Sequence, residues 1–143
     1  MPLSRTKGKS ARPAERDYSH RSLLDKLGIK MGQSIAVLCI EDTSFLGELS
    51  FRVPNVLRDS VVNGLDMILV GMSGVDDLPR LKSLAEMIRR NGTIWAVYPK
   101  GQAHIREADV IAAGKAAGLV DNKVCRFSET HTALRLVIPL AKR

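Results

Sequence analysis

The sequence predicts an α/β protein with a mostly parallel sheet that closes in an antiparallel hairpin. Three segments, 34–40, 64–72 and 93–99, are continuously apolar, as is typical of parallel strands that helices cover on both faces. Two further strand-like segments follow, 120–128 and 131–139, and only two residues separate them. So short a connection joins antiparallel strands. We therefore expect a five-stranded sheet whose last two strands form a hairpin.

The ordered part of the chain is expected to begin with a short helix near Ser19. Three leucines form a one-sided apolar patch in the segment 19–28. Ser19 or Ser22 can cap its start, and Gly28 suits the left-handed residue that follows a helix. A short turn then leads into the first strand, and the stretch 43–60 is predicted to be irregular or helical.

The segment between the second and third strands has the pattern of a crossover helix. Apolar residues recur at helical spacing from Leu78 to Ile88, with acidic residues before them and two arginines after them. That charge order complements the helix dipole, and Asn91-Gly92 is a stop signal. A second helix at 106–117 is rich in alanine and glycine, which allows close packing on the sheet. The crossover connections should be right-handed.

Composition and charge place the chain among globular proteins of the cytoplasm. Its 143 residues are 45% hydrophobic and 26% charged, which fits one domain that folds without a disulfide or a metal. We assign that domain to residues 18–143. The sequence has no apolar run of 18 or more residues and no secretory leader, and its two cysteines lie far apart. These features predict a cytoplasmic protein without membrane contact.

A basic tail is predicted ahead of the domain. Residues 1–17 hold five basic and two acidic side chains, a net of +3 within the +7 of the whole chain, and almost no apolar residue. Such a composition buries too little surface to order the backbone, so we expect disorder. A tail of this kind can hold nucleic acid weakly through phosphate contacts.

The predicted architecture resembles the second half of the class I methyltransferase fold, which is Rossmann-like. GLDMILV (64–70) matches the fourth strand of that fold and NGTIWAV (91–97) the strand that follows it. The resemblance implies a truncated methyltransferase-like domain. A fold alone says little about activity.

The loop after the first strand argues against a bound cofactor. A nucleotide or S-adenosylmethionine loop needs several glycines there, because a Cβ blocks the approach of the backbone to the ligand. Here the first glycine after Ile40 is Gly47, and Glu41 and Asp42 would repel a phosphate. The histidines and cysteines match no metal-ligand spacing and no catalytic triad. We predict no cofactor, no metal and no catalytic residue.

Four residues remain as candidate ligand contacts. Ser73 lies in the loop after the second strand, in GMSGVDD, and an alternative role for it is to cap the next helix. Trp95 and Lys100 lie in WAVYPKG, where Lys100 follows the carboxyl end of a strand and could equally be an ordinary exposed lysine. Glu129 lies in the hairpin turn. We expect Lys100 and Glu129 to be the polar groups that meet a ligand.

The chain also resembles a bacterial family known as domain of unknown function 3052. The resemblance covers residues 18–139 through the stretches YSHRSLLDKLGIKMGQ, NGTIWAVYPKG and AAGLVDNKVCRFSETHTALRLVIP. The matching positions are Leu27 to Lys30 with Gly32, then Trp95, Pro99 and Lys100, then Gly118 to Asp121 with Lys123 to Cys125, and finally Glu129 and Thr130. The family has a tryptophan where this chain has His131. No activity comes with the family name.

Three functions are compatible with the sequence. The first is a non-catalytic methyltransferase-like domain that binds a small anionic ligand or a protein partner at the carboxyl edge of the sheet. The second is a nucleic-acid accessory protein that acts through its charge, since 4% aromatic residues provide little stacking surface. The third is an enzyme whose site is not recognised, with Asp121, Lys123 and Glu129 converging near the hairpin.

Overall fold

The computed structural model describes residues 22–143. The tail predicted at 1–17 and the possible cap Ser19 lie outside these residues. In chain order the elements are α1 (Leu23–Lys26), β1 (Ile35–Leu38), α2 (Thr43–Arg52), β2 (Leu57–Arg58), β3 (Leu65–Gly71), a 3-10 turn (Val75–Asp77), α3 (Arg80–Ala85), β4 (Ile88–Pro99), α4 (Glu107–Ala116), β5 (Val120–Arg126), β6 (His131–Val137) and a last 3-10 turn (Leu140–Lys142).

One sheet runs through the described residues in the order β2-β1-β3-β4-β6-β5. The first four strands of that order are parallel, β6 is antiparallel to β4, and β5 is antiparallel to β6. The predicted α/β class, the mostly parallel sheet and the closing hairpin are confirmed. The sheet has six strands rather than five, because β2 adds a two-residue edge strand beside β1. So short a strand has no periodicity that a sequence pattern could reveal.

Helices cover the sheet on both faces. α1 and α2 pack on one face, against β1, Met67, Leu69 and Trp95. α3 and α4 pack on the other, against Ile68, Val70 and the alternate residues of β4 and β6. Within residues 22–143 no helix is long and apolar enough to span a membrane.

The first helix forms as the sequence predicts. Ser22 is its N-cap, and the Ser22 Oγ accepts a hydrogen bond from the Asp25 N–H at 3.2 Å. Leu24 and Leu27 are buried, and Gly28 has φ +78°, the left-handed conformation that a glycine adopts without strain. These local signals are enough to place α1 against the sheet.

The crossover helix ends earlier than its pattern predicts. α3 stops at Ala85, and the next residues enter β4, where Ile88 pairs with Leu65. Arg89 forms an ion pair with Asp66 at 3.1 Å instead of facing the end of a helix. Gly92 lies within this strand and not after a helix. The pairing of Ile88 with Leu65 draws this stretch into the strand and overrides its helical spacing.

Gly71 allows the ends of β1 and β3 to meet. A Cβ on Gly71 would overlap the carbonyl oxygen of Cys39, which is part of the backbone and cannot rotate away. Gly114 has a milder constraint, because its closest neighbour is the end of the Leu136 side chain at 2.9 Å. The carboxyl ends of β1 and β3 can therefore approach this closely because residue 71 has no Cβ.

We expect Gly71→Ala to lower the free energy of unfolding by about 2–3 kcal/mol, since the added methyl overlaps backbone atoms. Gly47→Ala is the matched control. Gly47 is exposed inside α2 and a Cβ there meets nothing within 4 Å, so the change should be neutral or stabilising by up to about 1 kcal/mol. Urea denaturation measures both, and equal stability of the two variants would contradict the close approach at Gly71.

Candidate functional site

A cleft opens at the carboxyl edge of the parallel strands. The chain leaves β1 toward β2 on one side and later returns to place β3 on the other, and ligands of α/β proteins bind at such a switch point. The cleft has a volume of about 770 Å³. We call it the switch-point cleft, and its lining residues are Cys39, Ile40, Glu41, Asp42, Asp59, Gly71, Met72, Ser73, Asp77, Val97, Phe127, Ser128, Thr130 and His131.

The loop after β1 forms the first wall of the cleft. Cys39 has φ +57°, an uncommon conformation for a residue with a side chain, and its N–H donates to Asp59 Oδ1 at 3.3 Å. The thiol is exposed, and Arg80 Nη1 lies 3.2 Å from its Sγ. Asp42 then caps α2, because its Oδ1 accepts from the Phe45 N–H at 3.0 Å. This loop is closed by side chains and not by glycines.

The loop after β3 forms the second wall. Ser73 donates both its N–H and its hydroxyl to Asp77 Oδ2, at 2.8 and 3.0 Å. The 3-10 turn that follows has Gly74 at its N-cap and no side-chain cap, so Ser73 does not cap the next helix. His104 reaches over from another loop and places its Nε2 3.0 Å from the Ser73 carbonyl oxygen. The N–H, the hydroxyl and the carbonyl oxygen of Ser73 thus each have a hydrogen-bond partner at the rim of the cleft.

The turn between β5 and β6 forms the third wall. The Ser128 hydroxyl accepts from the N–H groups of Thr130 and His131, at 3.3 and 3.1 Å. The Thr130 hydroxyl lies 2.8 Å from Nδ1 of His131. These contacts turn polar side chains toward the cleft, above a lining that includes Met72 and Phe127.

The charge of the switch-point cleft is negative. Four carboxylates line it, Glu41, Asp42, Asp59 and Asp77. Among the described residues the cation beside this lining is Arg80, which contacts the Cys39 thiol and offsets one of the four charges. The two hydrogen bonds from Ser73, first from its backbone and then from its hydroxyl, lower the pKa of Asp77 below its ordinary value. Asp77 therefore stays ionised over a wide range of pH.

The four residues expected to meet a ligand lie in different places. Ser73 lines the switch-point cleft. Lys100 lines a second cleft beside Tyr98, on the other face of the sheet. Glu129 is exposed in the hairpin turn and lines neither cleft. Trp95 is 1% exposed in the core, and its Nε1 donates to the Leu27 carbonyl at 3.0 Å. Trp95 therefore holds α1 to the sheet.

The residues of the enzyme hypothesis do not meet at the hairpin. Asp121 lies near the start of β5, and Glu129 lies beyond its far end. The five residue steps from Asp121 to Arg126 alone span about 17 Å. Lys123 turns its Nζ toward the Lys26 carbonyl, at 3.3 Å.

Comparisons with known proteins find likeness in structure. No family model matches the chain, and no curated protein matches its sequence. A methyltransferase from Aquifex aeolicus that depends on S-adenosylmethionine aligns with a TM-score of 0.64 and 14% identity, over 82% of this chain and 88% of that one. Magnesium protoporphyrin IX methyltransferase from Synechocystis PCC 6803 aligns with a TM-score of 0.58 and 9% identity, over 81% and 78% of the two chains. The fold is that of the class I methyltransferases.

The methyltransferase-like domain is shorter than some of these enzymes. Against the mitomycin 7-O-methyltransferase MmcR the TM-score is 0.55 at 10% identity, over 88% of this chain but 51% of that enzyme. The chain thus spans about half of the length of MmcR. At identities this low the likeness establishes the fold and not the activity.

The residues after β1 do not fit a methyl-donor cofactor held in a glycine-rich loop. Every position from Cys39 to Phe45 carries a side chain, so the backbone cannot approach a ligand as glycines allow. The first turn of α2 is already capped by Asp42. The methyltransferase-like domain thus has the fold but has no glycine-rich loop directly after β1.

Sequence reasoning missed most residues of the cleft. Cys39 was grouped with the apolar strand, yet it follows β1 and is exposed. Asp59 follows a strand too short to be recognised. His131 is the first residue of β6 and points toward the cleft because β5 and β6 pair antiparallel beside β4. The signal that could have found these residues is their position, because residues directly after parallel strands lie together at one edge of the sheet.

We expect Asp77→Ala to destabilise the domain by about 1 kcal/mol at neutral pH, as for the loss of a cap. Because folding lowers the pKa of Asp77, its stabilisation is present above the unfolded value of 3.8 and is lost as pH falls through the folded value. The stability difference from the original chain should therefore shrink in acid.

Asp76→Ala is the control for this prediction, because Asp76 is the exposed neighbour in the same turn. Thermal unfolding across pH 2.5–7, about the range in which aspartates titrate, measures both variants. A stability gap that stays constant with pH, or one that Asp76→Ala reproduces, would show that the Ser73 hydrogen bonds to Asp77 do not stabilise the loop.

Proposed function

We propose that this chain is a non-catalytic methyltransferase-like domain that binds a small ligand in the switch-point cleft. The ligand carries hydroxyl or amino groups and is neutral or cationic. The observation that carries the proposal is the charge of the cleft, which has four lining carboxylates against the one guanidinium of Arg80 at the Cys39 thiol. Ionised carboxylates accept strong hydrogen bonds from such groups and repel anions.

The chemistry of the same walls supports a role without catalysis. The loop after β1 lacks the glycines that would admit a methyl donor. Asp77, whose pKa is lowered by its hydrogen bonds from Ser73, suits a permanent negative charge and not the transfer of a proton near neutral pH. The cleft therefore has binding groups, and we assign it a binding role.

This proposal changes the ligand expected from the sequence. A small anion was expected at Lys100 and Glu129, but neither residue lines the switch-point cleft. A protein partner is a weaker candidate for this site, because the groups are recessed in a concave cleft and not spread over a flat surface. The resemblance to domain of unknown function 3052 implies no activity, so it does not bear on the class of ligand.

Native mass spectrometry of the protein purified from its own cells tests the proposal. We expect a mass excess that disappears on denaturation and belongs to a neutral or cationic molecule. Isothermal titration with that molecule should then show about tenfold weaker binding to Glu41→Gln, which removes a charge-assisted contact. Glu41 forms no hydrogen bond with another residue in the range 22–143, so Glu41→Gln leaves the internal contacts of the loop intact.

Glu48→Gln is the matched control, since Glu48 is exposed on α2 and lines neither cleft. A retained anion, a protein without mass excess, or equal weakening by Glu41→Gln and Glu48→Gln would contradict the proposed site. S-adenosylmethionine serves as a separate probe. If it binds in a manner sensitive to Glu41→Gln, the loop after β1 admits a methyl donor, which removes the ground for a non-catalytic role while the ligand class stands.

A further inference from the structure

A second cleft opens at the same sheet edge on the opposite face. It has a volume of about 490 Å³ and lies between the end of β4, the loop after it, the start of α4 and the strands β5 and β6. We call it the Lys100 cleft, and its lining residues are Tyr98, Lys100, Gly101, Gln102, Ala103, Ile105, Arg106, Glu107, Val124 and Thr132. The proposed function makes no use of it.

Two cations in the Lys100 cleft have no ionic partner. Neither Lys100 nor Arg106 forms an ion pair with another residue of the described chain. Both side chains are exposed, and each is anchored through its backbone: the Lys100 N–H donates to the Thr130 carbonyl at 3.0 Å, and the Arg106 N–H donates to Asp109 Oδ2 at 2.9 Å. The loop that carries the two cations is thus tied down at both ends.

One carboxylate in the cleft, Glu107, has a hydrogen-bond donor beside it. Tyr98 is 4% exposed and its hydroxyl donates a hydrogen bond to Glu107. Burial and then the negative charge of Glu107 raise the pKa of Tyr98 to about 12. The tyrosine remains a neutral donor, so the wall holds two cations and one hydrogen-bonded carboxylate. The balance of charge in the lining is positive.

Apolar surface completes the lining. Val124 is 51% exposed although it lies on β5, and it supplies the apolar surface that the cleft leaves in water, whereas Ile105 behind it is buried. A free inorganic anion would leave this surface in water. An anion with an apolar body would cover it and gain roughly 25 cal/mol for each Å² removed from water.

We propose that the Lys100 cleft binds a small organic anion, a phosphate or carboxylate group attached to an apolar body. Lys100 and Arg106 contact the anionic group, and the exposed Val124 side chain contacts the body. The two clefts then prefer opposite charges, with the sheet between them.

Phenyl phosphate is the test ligand, and inorganic phosphate is the probe that lacks the apolar body. Titrated into the full 143-residue chain and followed by amide NMR shifts, phenyl phosphate should bind more tightly and perturb Gly101 and its neighbours. Lys100→Ala and Arg106→Ala should each weaken both probes about tenfold. Val124→Ser should weaken phenyl phosphate and leave inorganic phosphate unchanged. Benzoate in place of phenyl phosphate distinguishes a preference for carboxylate from one for phosphate.

Two further variants fix the sign of the effect and its position. Glu107→Gln removes the one negative charge of the wall and should tighten the binding of both probes severalfold. Lys115→Ala removes a similar exposed charge from α4 at a position outside both clefts and should change nothing. Weakening by Lys115→Ala equal to that by Lys100→Ala, weaker binding in Glu107→Gln, or shifts confined to other surfaces would overturn the proposal.

Discussion

The burial of β1, β3 and β4 on both faces is the constraint on which the rest of the structure depends. Every residue of β1 is buried, and β3 and β4 contribute residues in alternation to two separate apolar clusters. Strands of this composition are stable only when helices cover both sides. The carboxyl ends of the strands cannot be covered in the same way, because the chain must leave the sheet there, and it is at this edge that both clefts open.

The carboxylates of the switch-point cleft serve the fold as well as the cleft. Asp42 caps α2, Asp59 accepts from the backbone of Cys39, and Asp77 accepts from Ser73. A loop closed by its own carboxylates needs no cofactor to satisfy its backbone, and it leaves the cleft with a negative field. The same carboxylates thus close the loops and give the cleft its negative charge.

Strand alternation explains why one sheet edge has two clefts of different character. Val97 and His131 face the switch-point cleft, whereas their neighbours Tyr98 and Thr132 face the Lys100 cleft. Successive residues of a strand point to opposite faces, so two consecutive positions on each of two paired strands divide between the two clefts. Pro99 ends β4 at this level, and Lys100 is held by the Thr130 carbonyl. The sheet therefore separates the two clefts.

The sequence by itself determined the class of fold, because strands that are apolar along their whole length require cover on both faces, and a short connection between two strands makes them antiparallel. It also determined that the loop after β1 lacks a glycine cradle. Tertiary pairing decided that 88–90 join β4, since the backbone of Leu65 offers partners that a lengthened helix would leave unused. It also decided which residues share a cleft. Ser73 and Lys100 both follow strand ends, yet they lie in different clefts, because the face to which each loop turns depends on neighbours distant in sequence.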